Sequence, residues 1–367
     1  MTAGLMTKTR IQRLAINTGG GDCPGLNAVI RAVVLHAHAH GIEVLGIEDG
    51  LDGLLPNKPA AVRRLTPAEV WPLLPEGGTI LGTTNRGDPF AYKDSAGVQQ
   101  DLSGALLERV RELGIDLLIS VGGDGSQTIA LRLQQLGLPV IGVPKTIDND
   151  LDATVETFGF GTAVQVATDA LDRLRTTAES HDRIMVLEVM GRDAGWIALH
   201  TGMAGGADVI LLPELPYDPA LVARDLRNTL ASGRRFALIV VAEGAQSRAE
   251  HDGSPRERGA RIRGGAGQRA ADAIAAALPE VELRVTVLGH VQRGGTPTAH
   301  DRLLASRLGV EAVEAALRGE SGVLVSSQPP EIRTVPLEQA VQKVRRVEHD
   351  AQILGHARAL GISFGDR

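Results

Sequence analysis

The sequence predicts an α/β protein in which helices cover both faces of a mainly parallel β-sheet. Two observations lead to this fold class. Short, continuously apolar runs recur along the chain, and many of the 44 glycines cluster where such runs end. An amphipathic helical pattern then follows the glycine clusters. Because strands buried on both faces are apolar throughout and are joined by crossover helices, this alternation indicates a parallel sheet.

The elements follow in chain order from this pattern. A strand over Arg13–Thr18 meets the glycine turn Gly19–Asp22, and a helix over Leu26–Ala39 comes next. The same succession recurs around the second glycine turn, Gly122–Gly125. The other elements expected are a helix over Ser126–Gly137 and strands at Asp116–Val121, Val44–Ile47, Val140–Val143, Ile184–Val189, Val209–Leu212, Ala237–Ala242 and Arg284–Leu288.

Composition limits the classes of function. At 367 residues the chain exceeds a usual single-core domain, so two domains or one large α/β unit is expected. Aromatic residues make up only 2%, and the net charge is −6, so nucleic-acid binding is not expected. Cys23 is the only cysteine, which excludes an intramolecular disulfide. We expect a cytoplasmic protein that binds no membrane, since the longest apolar run (236–242) is too short to span a bilayer and residues 1–10 lack a signal-peptide pattern.

Both glycine turns are expected to bind phosphate, because a helix N-terminus exposes backbone N–H groups and favours an anion. Gly20 and Gly25 have P-loop spacing, but Leu26 and Asn27 replace the usual Lys-Ser/Thr pair. For either turn considered alone, the alternative to a phosphate site is a tight strand–helix connection. Asp124 in the second turn favours a magnesium–phosphate site, since its carboxylate would repel phosphate unless a divalent cation lay between them.

A second polar cluster, residues 144–150, directly follows the Val140–Val143 strand. Ligands of open α/β sheets bind at the carboxyl ends of strands, so this loop is expected near the glycine turns. Asp148 or Asp150 can act as a general base towards a substrate hydroxyl, while Lys145 neutralises developing phosphate charge. A solvated loop with an Asx turn is the alternative.

Scattered polar residues near predicted strand ends suit the capture of a phosphorylated substrate. A single arginine is more often an ordinary surface residue, so the interpretation depends on the position near strand ends that these residues share. These residues are Arg183, Arg192, Glu243, Arg284, His290 and Arg293. His36 and His40 share a helix face, but without acidic or cysteine partners nearby we interpret them as a solvated helix end rather than a metal site. We interpret Cys23 as a small buried residue rather than an activated thiol.

The chain resembles the bacterial 6-phosphofructokinases. The resemblance runs from about Arg13 to Gly309 in the family's order, and its most specific motifs are TIDND (146–150), MGR (190–192) and GHVQRGG (289–295). It implies two Rossmann-like three-layer α/β/α domains with mainly parallel sheets and the active site in the cleft between them. Residues 1–158 and 291–345 would bind the donor, ATP with Mg²⁺. Residues 159–290 and 346–367 would bind fructose 6-phosphate.

The resemblance also implies the reaction: Mg²⁺-dependent transfer of the γ-phosphoryl group of ATP to the 1-hydroxyl of fructose 6-phosphate. Asp148 would be the base, supported by Thr146 and Asp150, with Arg192 steadying the phosphoryl group and Lys145 also catalytic. The donor residues would be Gly20, Arg86, Gly122, Gly123, Asp124, Gly125 and Ser126, with Asp124 as the metal ligand. The sugar phosphate would contact Thr146, Asp148, Asp150, Arg183, Met190, Gly191, Arg192, Glu243, Arg284, His290 and Arg293. In this scheme Glu243 and Met190 position the sugar, and His290 and Arg293 grip its 6-phosphate. Arg183 and Arg284 would reach over from a neighbouring subunit, so a homodimer or homotetramer with shared active sites is expected.

The donor signals conflict within the resemblance. Pyrophosphate users carry lysine at the position of Lys145, but they carry aspartate where this chain has Gly125. Glycine leaves room for the α-phosphate of ATP, so ATP is favoured and a pyrophosphate-dependent phosphotransferase is the alternative. Asn85 replaces an arginine of better-known ATP users, and Arg86 could compensate. An NAD-kinase-like enzyme, a non-catalytic binding homologue and a dehydrogenase explain fewer of the motifs.

Overall fold

The computed structural model describes residues 11–56, 61–94, 96–252 and 265–367. The chain divides into two compact units, each assembled from separate segments. The first unit comprises Met1–Thr146, Leu151–Gly159 and Arg293–Val344. The second unit comprises Ile147–Asp150, Phe160–Gln292 and Arg345–Arg367. The sequence prediction put residues 147–150, which include Asp148, with the donor segments, whereas the structure groups them with the second unit.

The strands and helices are numbered in chain order. The strands are β1 Arg13–Thr18, β2 Glu43–Ile47, β3 Val62–Leu65, β4 Tyr92–Lys93, β5 Gln99–Gln100, β6 Leu117–Gly122, β7 Val140–Thr146, β8 Phe158–Gly159, β9 Ile184–Val189, β10 Val209–Leu211, β11 Ala237–Ala242, β12 Leu283–Val287, β13 Val323–Gln328 and β14 Glu331–Pro336. The α-helices are α1 Leu26–Ala39, α2 Pro67–Val70, α3 Ser103–Glu112, α4 Asp124–Gln135, α5 Phe160–His181, α6 Trp196–Gly205, α7 Pro219–Ala231, α8 Arg248–His251, α9 Ala266–Ala277, α10 Ala299–Arg318, α11 Leu337–Ala340 and α12 Gln352–Ala359. Short 3₁₀ helices lie at Asp52–Leu54, Trp71–Leu73 and Gly289–Arg293.

The first unit is built on a mixed sheet in the order β14-β13-β7-β6-β1-β2-β3, and β8 also pairs with β7. Its five central strands, from β13 to β2, pair in parallel, whereas the outer strands β3 and β14 are antiparallel to their neighbours. Every residue of β6 and β7 is buried. Because alternate residues of a strand face opposite sides of a sheet, both faces of these strands are covered.

The second unit is built on a four-stranded sheet in the order β10-β11-β9-β12, in which all neighbours are parallel. Strands β9 and β11 are buried throughout, whereas β12 is an edge strand with exposed positions. The core is aliphatic, with the ring of Tyr217 as its largest buried member. The predicted α/β fold class with mainly parallel sheets is therefore confirmed.

The predicted elements agree closely with the observed ones. Strands β1, β9 and β11 and helix α1 have the predicted bounds, and the other predicted elements shift by one to three residues. Helix α8 begins after its N-cap Ser247, which forms a capping box with Glu250. Within the ranges that the structure describes, no helix has the length and apolar character that crossing a membrane requires.

Candidate active site

The first glycine turn connects β1 to α1 and is held on two sides. The N–H of Gly19 donates to the carbonyl of Val121 over 2.9 Å, and the N–H of Gly20 donates to the carbonyl of Thr84 over 3.1 Å. Thr83 Oγ1 donates to the carbonyl of Gly20 over 2.6 Å. The sequence analysis assigned the Gly20 N–H to the donor phosphates. That role stays a prediction, and it requires the hydrogen bond to Thr84 to break when the donor binds.

Two buried cations lie against this turn. Lys145, at the end of β7, is only 3% exposed, and its ammonium donates to the carbonyl of Gly21. Arg293 is 9% exposed, and its guanidinium donates to the carbonyl of Asp22 over 3.1 Å. A Cβ at Gly21 would lie 2.7 Å from that guanidinium, so any larger residue there would displace the Arg293 side chain. Two positive charges in a poorly solvated setting favour an anion at the turn.

The position of Arg293 differs from the expectation. The sequence analysis assigned it to the 6-phosphate of the sugar, together with His290. The structure instead packs Arg293 against Gly21 and Asp22, in the first unit. His290 is exposed in the 3₁₀ turn Gly289–Arg293. The assignment of His290 and Arg293 to one phosphate stays a prediction.

The second glycine turn connects β6 to α4 and packs on the first turn through one serine. A Cβ on Gly19 would lie 2.7 Å from Ser126 Oγ, so the close approach requires glycine there. Gly123 is the N-cap of α4, and Asp124 begins the helix. A Cβ at Gly125 would meet no atom within 4 Å, so open space adjoins the helix N-terminus.

This turn fits the predicted magnesium–phosphate site. Asp124 is half-buried, and no side-chain hydrogen bond or ion pair to another described residue engages its carboxylate. A carboxylate beside open space can ligate Mg²⁺, which prefers oxygen ligands. The N–H groups of the first turn of α4 have no partners within the helix and suit phosphate oxygens. Arg86 is exposed in the loop after Thr84, and its backbone N–H donates to Thr84 Oγ1 over 3.1 Å.

In the second unit, Asp148 and Arg192 form a charged pair. The Asp148 side chain is 3% exposed, and its Oδ2 lies 3.6 Å from Nε of Arg192, whose side chain is 51% exposed. Asn149 and Arg192 both have φ of 52°, in the left-handed region that non-glycine residues rarely adopt. Backbone strain of this kind concentrates at sites where a side chain is held in a required position.

Arg345 holds the backbone of the Asp148 loop, a role that the sequence did not reveal. Its N–H donates to the carbonyl of Asp150 over 2.8 Å, and its guanidinium donates to the carbonyl of Asn149 over 3.3 Å. The same guanidinium lies 4.5 Å from the ring centroid of Trp196. Trp196 Nε1 in turn donates to the carbonyl of Arg345 over 3.1 Å. Such mutual contacts restrict the loop that carries Asp148.

Glu243 and Gln292 hold the turn that carries Arg192. Glu243 Oε1 accepts from the N–H groups of Gly191, over 3.3 Å, and Arg192, over 2.8 Å. Gln292 is fully buried, and its Oε1 accepts from the N–H of Met190 over 2.9 Å. The sequence analysis assigned Glu243 to the sugar, and the structure adds a second task, which is to orient Arg192. Gln292 was not singled out, although it lies in the GHVQRGG motif.

Arg183 and Arg284, predicted to act together, share one carboxylate. Nε of Arg183 donates to Glu282 over 2.5 Å, and the guanidinium of Arg284 pairs with the other oxygen of Glu282. The Arg284 side chain is 59% exposed on the edge strand β12. The structure therefore presents the two guanidinium groups side by side.

Within the first unit, Thr146 is buried, and its carbonyl accepts from Thr157 Oγ1 over 2.8 Å.

Cys23 is fully buried at the start of α1, which confirms its interpretation as a small buried residue. Its Sγ donates to the carbonyl of Phe158 over 3.6 Å. Burial raises the pKa of the Cys23 thiol from about 9 to about 12, although the nearby ammonium of Lys145 acts in the opposite direction.

Native Cys23 is therefore expected to resist thiol reagents. Raising the pKa from 9 to 12 leaves about 10³-fold less thiolate at pH 8, and the thiolate is the reactive form. A titration with a disulfide reagent at pH 8 should show little reaction of the folded protein and one thiol per chain after unfolding in urea. Reaction of the native protein at the unfolded rate would contradict the burial described for Cys23.

Three kinds of comparison relate this chain to known proteins. A family model described as phosphofructokinase matches residues 13–316. An ATP-dependent 6-phosphofructokinase of Chloroflexus aurantiacus is 51% identical over 97% of this chain and 98% of its own length. ATP-dependent 6-phosphofructokinase 1 of Synechocystis is 46% identical over 97% of this chain and 99% of its own length.

Solved structures share the fold. A phosphofructokinase from Saccharomyces cerevisiae superimposes with a TM-score of 0.77 at 31% identity over 95% of this chain, which spans 46% of the yeast chain. A pyrophosphate-dependent phosphofructokinase from Marinobacter aquaeolei gives a TM-score of 0.79 at 24% identity, over 96% of this chain and 88% of the other. At 24% identity, the similarity to the Marinobacter protein shows a shared fold alone.

Proposed function

The chain belongs to the phosphofructokinase family, and we infer that it is an ATP-dependent 6-phosphofructokinase, which transfers the γ-phosphoryl group of ATP to the 1-hydroxyl of fructose 6-phosphate. The single structural observation that supports this reaction best is the Asp148–Arg192 pair in the second unit. A buried carboxylate, which could serve as the base, lies 3.6 Å from a half-exposed guanidinium, which could stabilise the charge of the transferring phosphoryl group.

ATP is the donor because relatives of 46% and 51% identity carry that dependence in their names. The pyrophosphate-dependent proteins that share the fold are 22% and 24% identical to this chain. The open space beyond Gly125 agrees with ATP, since an α-phosphate and a nucleoside need room that pyrophosphate does not. Lys145 does not oppose this assignment, because its ammonium can offset the charge of either donor.

We propose that the first unit binds the donor phosphates at its two glycine turns. Lys145 and Arg293 supply positive charge at the first turn, and N–H groups of α4 supply donors at the second. Asp124 would hold Mg²⁺, which, when bound, offsets the charge of the phosphate oxygens and orients them. Thr146 ends strand β7 of the first unit, and Asp148 follows two residues later in the second unit.

In the second unit, Asp148 accepts the proton of the 1-hydroxyl as its oxygen attacks the γ-phosphorus. The bond from that phosphorus to the β-phosphate oxygen breaks, and ADP leaves. The neighbouring guanidinium of Arg192 stabilises the negative charge that develops on the transferring group. Glu243 keeps Arg192 in place through the two N–H groups of the turn. The base and the guanidinium are therefore positioned before the substrate arrives, and little reorganisation is needed during the reaction.

We further propose that Arg183 and Arg284 bind the 6-phosphate, presented to a neighbouring copy of the chain. Their guanidinium groups converge on Glu282 at the edge of the sheet, where a phosphate could take over as the bridging anion. An active site completed in this way requires a homo-oligomer. Dilution below the dissociation constant of the assembly is then expected to abolish activity. Concentrating the protein again is expected to restore it.

The direct test is the formation of fructose 1,6-bisphosphate in a coupled assay. Turnover is expected with ATP, Mg²⁺ and fructose 6-phosphate. EDTA is expected to abolish it because, without the cation, the Asp124 carboxylate would repel the donor phosphates. The matched control replaces ATP by pyrophosphate at the same Mg²⁺ concentration, with much slower product formation expected. Absence of product with both donors would refute the assigned reaction, and faster turnover with pyrophosphate would refute the assigned donor.

A further inference from the structure

Helices α1 and α10 of the first unit pack closely enough to bring ligating side chains together. A Cβ at Gly309 of α10 would lie 2.9 Å from both the Cβ of Ala32 and the carbonyl oxygen of Val29 on α1. Only glycine at that position allows the two helices to approach so closely. In the next turns of the helices, the same packing places Glu314 of α10 against His36 of α1, 278 residues away in sequence.

The sequence analysis interpreted His36 and His40 as a solvated helix end because no acidic partner was apparent nearby. The structure supplies the acidic partner that the sequence did not reveal, which is Glu314. Nε2 of His36 lies 2.7 Å from Oε1 of Glu314, and His40 stands one helical turn from His36, with 4.7 Å between the ring centroids. One ligating atom from each of the three side chains lies within 4.8 Å of the other two.

The distances between these ligand atoms are close to the distances between the ligands of a bound metal ion. Zinc–nitrogen and zinc–oxygen distances of about 2.0–2.2 Å put two ligands of a tetrahedral ion roughly 3.3 Å apart. The contact between His36 and Glu314 therefore needs to open by only about 0.6 Å, and the ligand atom of His40 needs to move in by at most about 1.5 Å. His40 is the exposed C-cap residue of α1, where helices fray, so a small shift of the helix end can supply that movement.

The tautomer of His40 also suits a ligand. Its Nδ1 lies 3.0 Å from the carbonyl oxygen of His36, and a carbonyl can only accept, so Nδ1 carries the proton. Nε2 is then the nitrogen with the lone pair. Metal-ligating histidines typically donate their other ring N–H to a backbone carbonyl or carboxylate in this way, which fixes the ring and increases its basicity.

We propose that His36, His40 and Glu314 form a binding site for Zn²⁺ or a similar borderline divalent ion, with water in the remaining coordination position. Imidazole nitrogen suits Zn²⁺, Ni²⁺, Co²⁺ and Cu²⁺ and does not suit Mg²⁺, so this site is separate from the one proposed at Asp124. The ion cross-links α1 to α10. Because α1 begins directly after the first glycine turn, the bound ion stabilises the helix that supports that turn.

The experiment compares Zn²⁺ binding to chelator-stripped wild-type protein and to His40→Ala. Competition against a chromophoric zinc indicator is expected to show one tight site per chain in the wild type, weakened more than about tenfold by removal of one of three ligands. The matched control is His38→Ala, which removes an exposed histidine of the same helix that is outside the cluster. That variant is expected to keep wild-type affinity. Glu314→Gln is expected to weaken binding as His40→Ala does.

A second measurement identifies the ligands. Co²⁺ is expected to give the visible d–d absorption of a low-coordinate nitrogen–oxygen site in the wild type and in His38→Ala, but not in His40→Ala. The rate of fructose 1,6-bisphosphate formation without Zn²⁺ is expected to be equal in all variants, which shows that each is folded. Equal zinc stoichiometry and affinity in the wild type and His40→Ala would overturn the site. An equal loss of zinc affinity in His38→Ala and His40→Ala would also overturn the site, because it would show only non-specific binding to histidines.

Discussion

Replacing Asp148 by serine is expected to lower kcat for fructose 1,6-bisphosphate formation by about 10²–10⁴-fold while KM for fructose 6-phosphate changes only a few-fold. The carboxylate accepts a proton in the transition state and adds little to ground-state binding. The Asp148 side chain is buried, so bulk water has little access to replace it as the base. The measurement is steady-state kinetics with saturating ATP and varied sugar phosphate.

The matched control for this change is Asp152→Ser. Asp152 lies four residues further along, and its carboxylate pairs with Lys343 over 3.7 Å, in a contact that involves no proposed catalytic residue. That variant is expected to keep near-wild-type turnover. If Asp148→Ser keeps the wild-type kcat, Asp148 is not the base. If KM rises while kcat holds, Asp148 only binds the sugar.

Placing an aspartate at position 125 is expected to reduce kcat/KM for ATP by about 10- to 1,000-fold. The open space there accepts the side chain without a clash, so the new carboxylate would lie in the volume assigned to the α-phosphate. Repulsion between two anions within a few ångströms, partly screened, is on the order of 1.4–4 kcal/mol, which corresponds to that range. An acidic residue in the first turn of α4 agrees with the helix dipole, so folding stability is expected to hold.

Gly125→Asn separates charge from volume, because asparagine has nearly the shape of aspartate without its charge. We expect Gly125→Asn to lose far less ATP activity than Gly125→Asp, and Gly125→Ala to lose least. Thermal unfolding of each variant checks that the fold is kept. Equal losses for asparagine and aspartate would show that volume alone matters, and no loss with aspartate would show that position 125 does not face the donor.

The sheets could be predicted from the sequence because buried parallel strands are apolar at every position. Strand β11 is such a run, and its bounds were predicted residue for residue. Helix α5, with 22 residues, was not predicted. Its buried face is formed largely by small residues such as Ala163, Ala167 and Ala178, so few large apolar residues mark the helix in the sequence. Beyond Gly322, strand β13 was not predicted either, because serines fill two of its buried positions.

The candidate site could be predicted in part. Glycine turns and clustered carboxylates are local patterns, so Asp124 and Asp148 were identified from the sequence. Contacts between residues far apart in the chain could not be identified from the sequence. Arg293 reaches Asp22 across 271 positions, and Glu282 joins Arg183 across 99. Which charged groups meet depends on the register of packed strands and helices, and no pattern within one segment carries that information.

Because each unit is assembled from separate segments, the chain cannot finish either one early in its synthesis. Strand β7 leaves the ribosome long before β13, its neighbour in the sheet, so the edge of β7 stays unpaired in the meantime. The second unit likewise waits for Ser363, whose backbone bonds to Asp208 and Ile210, each over 2.9 Å. Nascent chains therefore carry an exposed apolar strand edge, which is a template for aggregation, while the chain between Thr146 and Val323 is synthesised. Chaperone demand during biosynthesis follows from the order of the segments along the chain.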